Sequence, residues 1–217
     1  MNDIILNIDS NILNIFSNKE INDLIKELKL DNYYEVKQTH SDIVHIIDDN
    51  YINNSVGDAI ITNKKNTPII IKIADCIPIL IYDKENKVIS LVHSGWKGTL
   101  KNITIKTIET MISKYNSKKE NIYVYIYPSI RQCHFEIQED VYSLFKETIT
   151  NIDKYTNKLE NKYYIDMQSI IKDKLIEIGI TNIIDTNICT YCNHDIYHSY
   201  RYNHTNQRNI LLAMIKE

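Results

Sequence analysis

The stretch PIIIKIADCIPILIYDKENKVISLVHSGWKGT, residues 68–99, decides the fold. Residues 69–73 and 77–82 form a nearly continuous apolar run, residues 88–92 form a second, and the polar segment DKENK lies between them. Two β-branched runs joined by a short polar loop predict a β-hairpin. A turn centred near Glu85 places Cys76 almost opposite His93. Directly opposed strand residues have Cβ atoms roughly 4.5–5.5 Å apart. A thiol and an imidazole at that separation can share a metal ion or a proton.

Taken alone, Cys76 reads as a core residue, because free Cys is among the most buried residue types. Two neighbours change the reading. Asp75 precedes Cys76, and Asp is disfavoured inside a strand. His93 runs into Ser-Gly-Trp-Lys-Gly, which holds two of the four glycines and the only Trp of the chain. Gly95 and Gly98 mark a tight backbone path just past the strand, where chemistry is commonly placed.

The chain has 217 residues, 43% hydrophobic and 24% charged, a globular composition with ample material for a core. A single domain over residues 1–217 is expected. The net charge of −3 argues against nucleic acid as the main partner. The start, MNDIILNIDSN, lacks a basic region and a long apolar stretch, so no secretory signal is expected. No segment approaches the roughly 20 apolar residues that span a bilayer. A cytoplasmic, reducing location follows, with thiols free for metal or catalysis, and no membrane partner. The expected state is a monomer or weak homodimer.

Outward from the hairpin, residues 4–8 read as a short strand. Ser17-Asn18-Lys19-Glu20 has capping-box spacing, and Ile21, Leu24, Ile25 and Leu28 predict a helix over 18–30. Residues 33–37 and 43–47 read as strands around Gln38-Thr39-His40-Ser41. His40 reads equally as a turn residue or a ligand, and His45 as structural. Residues 58–62 are a strand, and Thr99 caps a helix that ends at 116–120. Residues 122–127 are a strand leading into Pro128-Ser129-Ile130-Arg131-Gln132-Cys133-His134. Cys133 and His134 invite a nucleophile reading. Adjacent strand residues point to opposite faces, which favours a structural or substrate-lining role. A helix over 139–150, a polar loop over 154–161 and a strand over 163–165 follow. Asp166 caps a helix that stops at Gly179. Residues 183–188 form a strand, and 209–215 close the chain as a helix. Strands and helices mix without a strict βαβ rhythm, which predicts an α/β or α+β sandwich with mixed sheets.

Cys189-x-x-Cys192-x-His194 looks like half of a zinc site. A structural zinc takes four ligands, commonly two pairs, and one pair alone predicts no metal there. Arg201 and Arg208 stand out because the chain has very few arginines against many lysines, and a guanidinium binds anions as a fork.

QTHSDIV (38–44), DAIIT (58–62), ADCIPILIYD (74–83), VHSGWKGTL (92–100), PSIRQCHFEI (128–137), YYIDM (163–167) and CTYCNHDIYHSYRYNHTNQR (189–208) together resemble the YfiH-like family. That family is also called laccase-domain or polyphenol oxidoreductase, purine nucleoside phosphorylase and peptidoglycan editing factor. The resemblance implies a four-layer α/β/β/α sandwich with mixed sheets and a metal site of His40, Cys76 and His93. Three N/S ligands leave an open position, as in catalytic zinc sites. It implies phosphorolysis of adenosine, inosine, guanosine and methylthioadenosine, deamination of adenosine, and for some members copper-dependent polyphenol oxidation or removal of wrongly incorporated serine from peptidoglycan precursors. Lys97, Tyr202, Tyr127 and Arg131 depart from the common pattern.

The reading is a zinc-dependent purine nucleoside enzyme. His40, Cys76 and His93 hold the metal, and Asp75 carries protons or orients a ligand. Gln38, Ser41, Lys97, Arg201 and Arg208 bind nucleoside and phosphate. Copper is the less favoured metal, since the chain lacks the many His pairs of a multicopper cluster. The rivals are a cysteine hydrolase acting on a precursor amide, with Cys76 as nucleophile and His93 as base, and a binding protein with a structural zinc.

Overall fold

The computed structural model describes residues 3–217. In chain order its strands are β1 (Ile12–Ser17), β2 (Tyr34–Lys37), β3 (Val44–Ile46), β4 (Ser55–Val56), β5 (Ala59–Thr62), β6 (Ile69–Ile73), β7 (Ile77–Asp83), β8 (Val88–Ser94), β9 (Ile122–Ile126), β10 (Glu136–Ile137), β11 (Thr156–Leu159), β12 (Lys162–Ile165), β13 (Asn182–Asp185) and β14 (Asn209–Ile215). The helices are α1 (Ile21–Glu27), α2 (Trp96–Leu100), α3 (Ile103–Tyr115), α4 (Glu139–Thr148), α5 (Met167–Glu177) and α6 (Tyr200–Asn203). A five-stranded sheet runs β1-β14-β6-β2-β4, a six-stranded sheet runs β13-β9-β7-β8-β5-β3, and β10-β12-β11 form a small third one. Both large sheets contain parallel and antiparallel pairs.

Strand alternation divides the apolar residues among three cores. In β7, Ile77, Ile79 and Ile81 face α3, α4 and α5, where Met111, Phe145 and Leu175 meet them. Leu80 and Tyr82 face the other way, onto Ile69, Ile71, Leu211 and Ala213 of the five-stranded sheet. That sheet turns Ile70, Ile210 and Leu212 toward Leu24 of α1. The layers are therefore helix, sheet, sheet, helices, the mixed α/β sandwich expected. Strands β5, β7, β8 and β14 are buried along their whole length, with both faces covered, so they carry apolar runs rather than strict alternation.

The run 69–82 is two strands, not one. At Asp75 the backbone turns left-handed (φ 86°), and the chain passes from the five-stranded sheet to the six-stranded one. The β7–β8 hairpin forms as expected, but its register pairs Pro78 with His93 and Ile77 with Ser94. Cys76 thus continues opposite Gly95, two residues from the expected partner. The loop spans residues 84–87 and is held by Asp83, whose Oδ1 accepts from the N–H groups of Glu85 and Asn86.

Other elements differ from expectation for local reasons. Residues 4–8 form a single bridge, Ile4 to Phe16, and not a strand. The Asn14 side chain takes the place of a ladder there, bonding both the N–H and C=O of Leu6. Ser17 ends β1 instead of capping α1, which is shorter than expected, and its hydroxyl accepts from Lys19 N–H. Thr99 lies inside α2, and α3 starts after a left-handed Asn102. Residues 156–159 pair with β12 as a hairpin rather than a loop. The strand expected over 183–188 forms as β13, ending at Asp185. Residues 209–215 are the buried strand β14, not a helix. Six consecutive apolar residues, 210–215, carry no period, so sequence alone does not separate the two. Asp166 caps α5 as expected, accepting from Ser169 N–H at 2.9 Å.

Leu80→Ala tests the two-sided burial of β7, since Leu80 is fully buried between the sheets. The expected loss is about 2–5 kcal/mol, read as a lower urea midpoint at unchanged slope. A loss under about 1 kcal/mol contradicts this packing.

Candidate metal centre

Asp58, at the entrance to β5, is fully buried and is the hub of the site. Its Oδ2 accepts from Thr39 N–H (3.1 Å), Ser41 N–H (2.6 Å) and Ser41 Oγ–H (2.6 Å). Its Oδ1 accepts from His40 N–H (3.0 Å) and from His93 Nδ1 (2.7 Å). The backbone adds a bond from His93 N–H to Asp58 C=O at 2.8 Å. Burial pushes the carboxyl pKa up, but the bonds from His93 and Ser41 outweigh it and hold it at about 2.

This carboxylate sets both imidazoles. The loop after β2 wraps around Asp58 with His40 in a left-handed conformation (φ 59°). His93, near the end of β8, gives Nδ1–H to Asp58, which turns its Nε2 toward Cys76. The His40 and His93 rings lie edge to face with centroids 4.9 Å apart. Cys76 Sγ sits 3.6 Å from His40 Nε2, and one donor atom each of His40, Cys76 and His93 lies within 4.8 Å of the others. Gly95 is required for close approach rather than for its φ. A Cβ there would lie 2.6 Å from His40 Cδ2 and 3.1 Å from Cys76 Sγ.

The group has the chemistry of a metal centre. Burial raises the Cys76 thiol, but the adjacent His93 and His40 rings bring it down to about 6. Burial opposes the charge on His93, yet the Cys76 thiolate and Asp58 lift it to about 9. A thiolate and two imidazoles, one oriented by a buried carboxylate, are ligands suited to zinc. The same groups without metal form a thiolate–imidazolium pair.

The centre opens into a cavity of about 740 Å³ lined by His40, Cys76, His93, Trp96, Phe135 and Arg201, among others. Gln38, Asp75 and Arg208 also line it. Gln38 commits both ends of its amide to the Lys72 backbone, at 2.7 and 2.8 Å, so only its stem faces the space. Asp75 Oδ1 accepts from Thr190 Oγ1 and its Oδ2 from Arg201 N–H, both at 2.7 Å. Ser41 and Lys97 lie off the cavity wall. Ser41 serves Asp58, and Lys97 is exposed with its ammonium 5.3 Å from the Trp96 ring centroid. Arg208 bonds the carbonyls of Thr205 and Gln207. His45 bonds Val56 C=O, a structural use. Sequence reasoning missed Asp58, taken as the first residue of a strand. Its signal was a charged residue abutting the short, mostly apolar run Ala59-Ile60-Ile61.

The sequence profile of the family described as multi-copper polyphenol oxidoreductase laccase matches residues 12–216. A purine nucleoside phosphorylase of Borreliella burgdorferi is 32% identical over 200 residues, covering 86% of this chain and 85% of that protein. One from Clostridium acetobutylicum is 37% identical over 184 residues, covering 80% and 74%. Adenosine deaminase RL5, from an unknown prokaryotic organism, is 28% identical over 185 residues, covering 79% and 70%. The crystal structure of Bacillus licheniformis hypothetical protein YfiH superimposes with a TM-score of 0.83 at 23% identity, over 89% of this chain and 79% of that one. No helix among the described residues is long and apolar enough to cross a membrane.

In metal-stripped protein, alkylation of Cys76, followed peptide by peptide, is expected to rise through a midpoint near pH 6, since the thiolate persists above the lowered pKa. His93→Gln removes the largest lowering influence, and the midpoint should move up toward the ordinary thiol value of about 8.5. An unchanged midpoint contradicts the pairing.

Proposed function

The chain belongs to the multi-copper polyphenol oxidoreductase laccase family, and from the site it carries we propose a zinc-dependent purine nucleoside enzyme. It phosphorolyses adenosine, inosine, guanosine and methylthioadenosine and deaminates adenosine, in the cytoplasm, where thiols stay reduced. The observation that carries this reading is a His40–Cys76–His93 donor set opening on a cavity large enough for a nucleoside. The names of the relatives point the same way.

His40 Nε2, Cys76 Sγ and His93 Nε2 would hold the metal, and two imidazoles with one thiolate fit zinc. A zinc ion held there supplies Lewis-acid activation of water for attack at purine C6. Asp58 fixes the His93 tautomer and the His40 loop. Trp96 and Phe135 offer aromatic faces to the base. Asp75, its carboxylate oxygens each accepting one bond, moves the proton that ammonia or the departing base needs. Arg201 faces the cavity with its guanidinium over Phe135 and one N–H on the His134 carbonyl. Its remaining N–H donors bind phosphate beside ribose C1′, where a phosphate oxygen displaces the base. Arg208 lends charge at the same rim. Lys97 has no part in this.

A second reading has its own support. The lowered Cys76 and raised His93 make a thiolate–imidazolium pair, the state of a cysteine nucleophile. Metal dependence separates the two. A hydrolase retains turnover after metal removal, and the zinc enzyme does not.

Metal-analysed protein is to be incubated with adenosine, with and without phosphate. Inosine in both arms, and free base with ribose 1-phosphate only with phosphate, is the expected result. Cys76→Ala and His40→Ala should lose both activities. Arg201→Ala should lower phosphorolysis about ten- to a hundredfold, as for a lost charge-assisted bond of about 1.5–3 kcal/mol, with deamination falling much less. Untouched adenosine, or full turnover by Cys76→Ala, overturns the proposal.

A further inference from the structure

We propose a second metal site in this protein, a four-ligand structural zinc held by Cys133, His134, Cys189 and Cys192. It stands independently of the activity proposed above. The four donors come from two loops, one after β9 and one after β13, and one donor atom of each lies within 4.8 Å of all the others. The fold joins what the sequence separates. Treated as a lone pair, Cys189 and Cys192 predicted no metal, but the chain crossing brings a Cys-His pair from 56 positions upstream.

The distances are those of a coordination tetrahedron. Zinc–sulfur bonds of about 2.3 Å at tetrahedral angles place sulfurs about 3.8 Å apart. Cys133 Sγ is 3.7 Å from Cys189 Sγ and 3.7 Å from Cys192 Sγ. Mixed sulfur–nitrogen edges come to about 3.5 Å, and His134 Nδ1 lies 3.2 Å from Cys133 Sγ and 3.3 Å from Cys192 Sγ. Small ring and thiol rotations close that difference. All four cysteines of the chain are free, and a disulfide would need sulfurs about 2.05 Å apart. Three thiols and an imidazole nitrogen gathered around one point, with no disulfide among them, match a Cys₃His zinc set.

The surroundings are built as metal knuckles are. Backbone N–H groups of Cys192 and Arg131 donate to the Cys189 sulfur. Asn193 donates to Cys189 C=O through both its backbone N–H (3.1 Å) and its side chain (2.8 Å). The His134 ring stacks on Tyr191 with centroids 3.9 Å apart. A parallel bridge joins Ser129 to Cys189.

The position gives the site its role. The two cross-linked loops carry Ile130 and Phe135 on the cavity wall, His134 C=O beneath Arg201, and Thr190 against Asp75. The ion there pins the wall opposite the His40–Cys76–His93 centre. Its four protein ligands leave no open position, whereas three ligands at the first centre do.

Elemental analysis of protein purified under reductant, without added metal or chelator, tests this. Wild type should carry about two zinc per chain, Cys76→Ala one, and Cys192→Ser one. One zinc in wild type that Cys76→Ala removes entirely, or an undiminished content in Cys192→Ser, overturns the proposal. A second arm guards against misfolding of the Cys192 variant. Cys76→Ala protein stripped and refilled with cobalt(II) should show thiolate-to-cobalt charge-transfer absorption and intense tetrahedral d–d bands at one equivalent. Only weak octahedral absorption would count against the site.

Discussion

One buried carboxylate, that of Asp58, receives five hydrogen bonds, and the candidate centre is assembled around it. A charge taken out of water costs several kcal/mol unless it is fully bonded. Here the donors are three consecutive backbone N–H groups, one hydroxyl and one imidazole. Satisfying them all requires the 39–41 loop to close over β5 and His93 to point its Nδ1 inward. The same bonds that stabilise the charge therefore aim His93 Nε2 and place His40. Linkage gives this a sign. The Asp58 pKa is depressed, so its contribution to stability is present above the unfolded value of about 3.9 and is lost as pH falls through about 2.

The sandwich supplies the other half of the geometry. β6 and β7 are consecutive in the chain yet lie in different sheets, and the left-handed turn at Asp75 makes the transfer. Cys76 follows that turn, at the mouth between the layers instead of within a core. Gly95, across the hairpin, has no side chain, and the space its Cβ would fill belongs to His40 and Cys76. Rigid strands buried on both faces hold these positions. The loops after β9 and β13 and the short helix α6 form the far wall.

Much of this was legible in the sequence, for physical reasons that also explain what was not. The hairpin was readable because two β-branched runs flank a polar segment. The exceptional residues, Asp75, Gly95 and the lone Trp96, marked its open end. Register was not readable to better than two residues, because the loop's own Asp83 bonds determine where pairing starts. β14 escaped because a fully buried strand has no polar side to reveal its period. Asp58 escaped because its partners are mostly backbone N–H groups, which leave no trace in residue identity. The Cys133–His134 pair and the Cys189–Cys192 pair each look incomplete, and only the parallel alignment of β9 and β13 brings their loops together. Gln38 and Ser41 are expected from the sequence to bind substrate, and the structure shows which hydrogen bonds each already makes. Gln38 bridges to β6 and Ser41 bonds Asp58, so both brace the loop that carries His40.

The account rests on Asp58 organising two candidate metal ligands, His40 and His93, and Asp58→Asn isolates that role. Asparagine keeps the size but loses the charge and half of the accepting capacity. The measurement is the zinc dissociation constant by competition with a chromophoric chelator, in protein that also carries Cys192→Ser so that a single centre is read. The predicted result is affinity weakened about 10–100-fold, with circular dichroism unchanged. Equal affinity with and without Asp58→Asn would contradict the claim that this carboxylate builds the site.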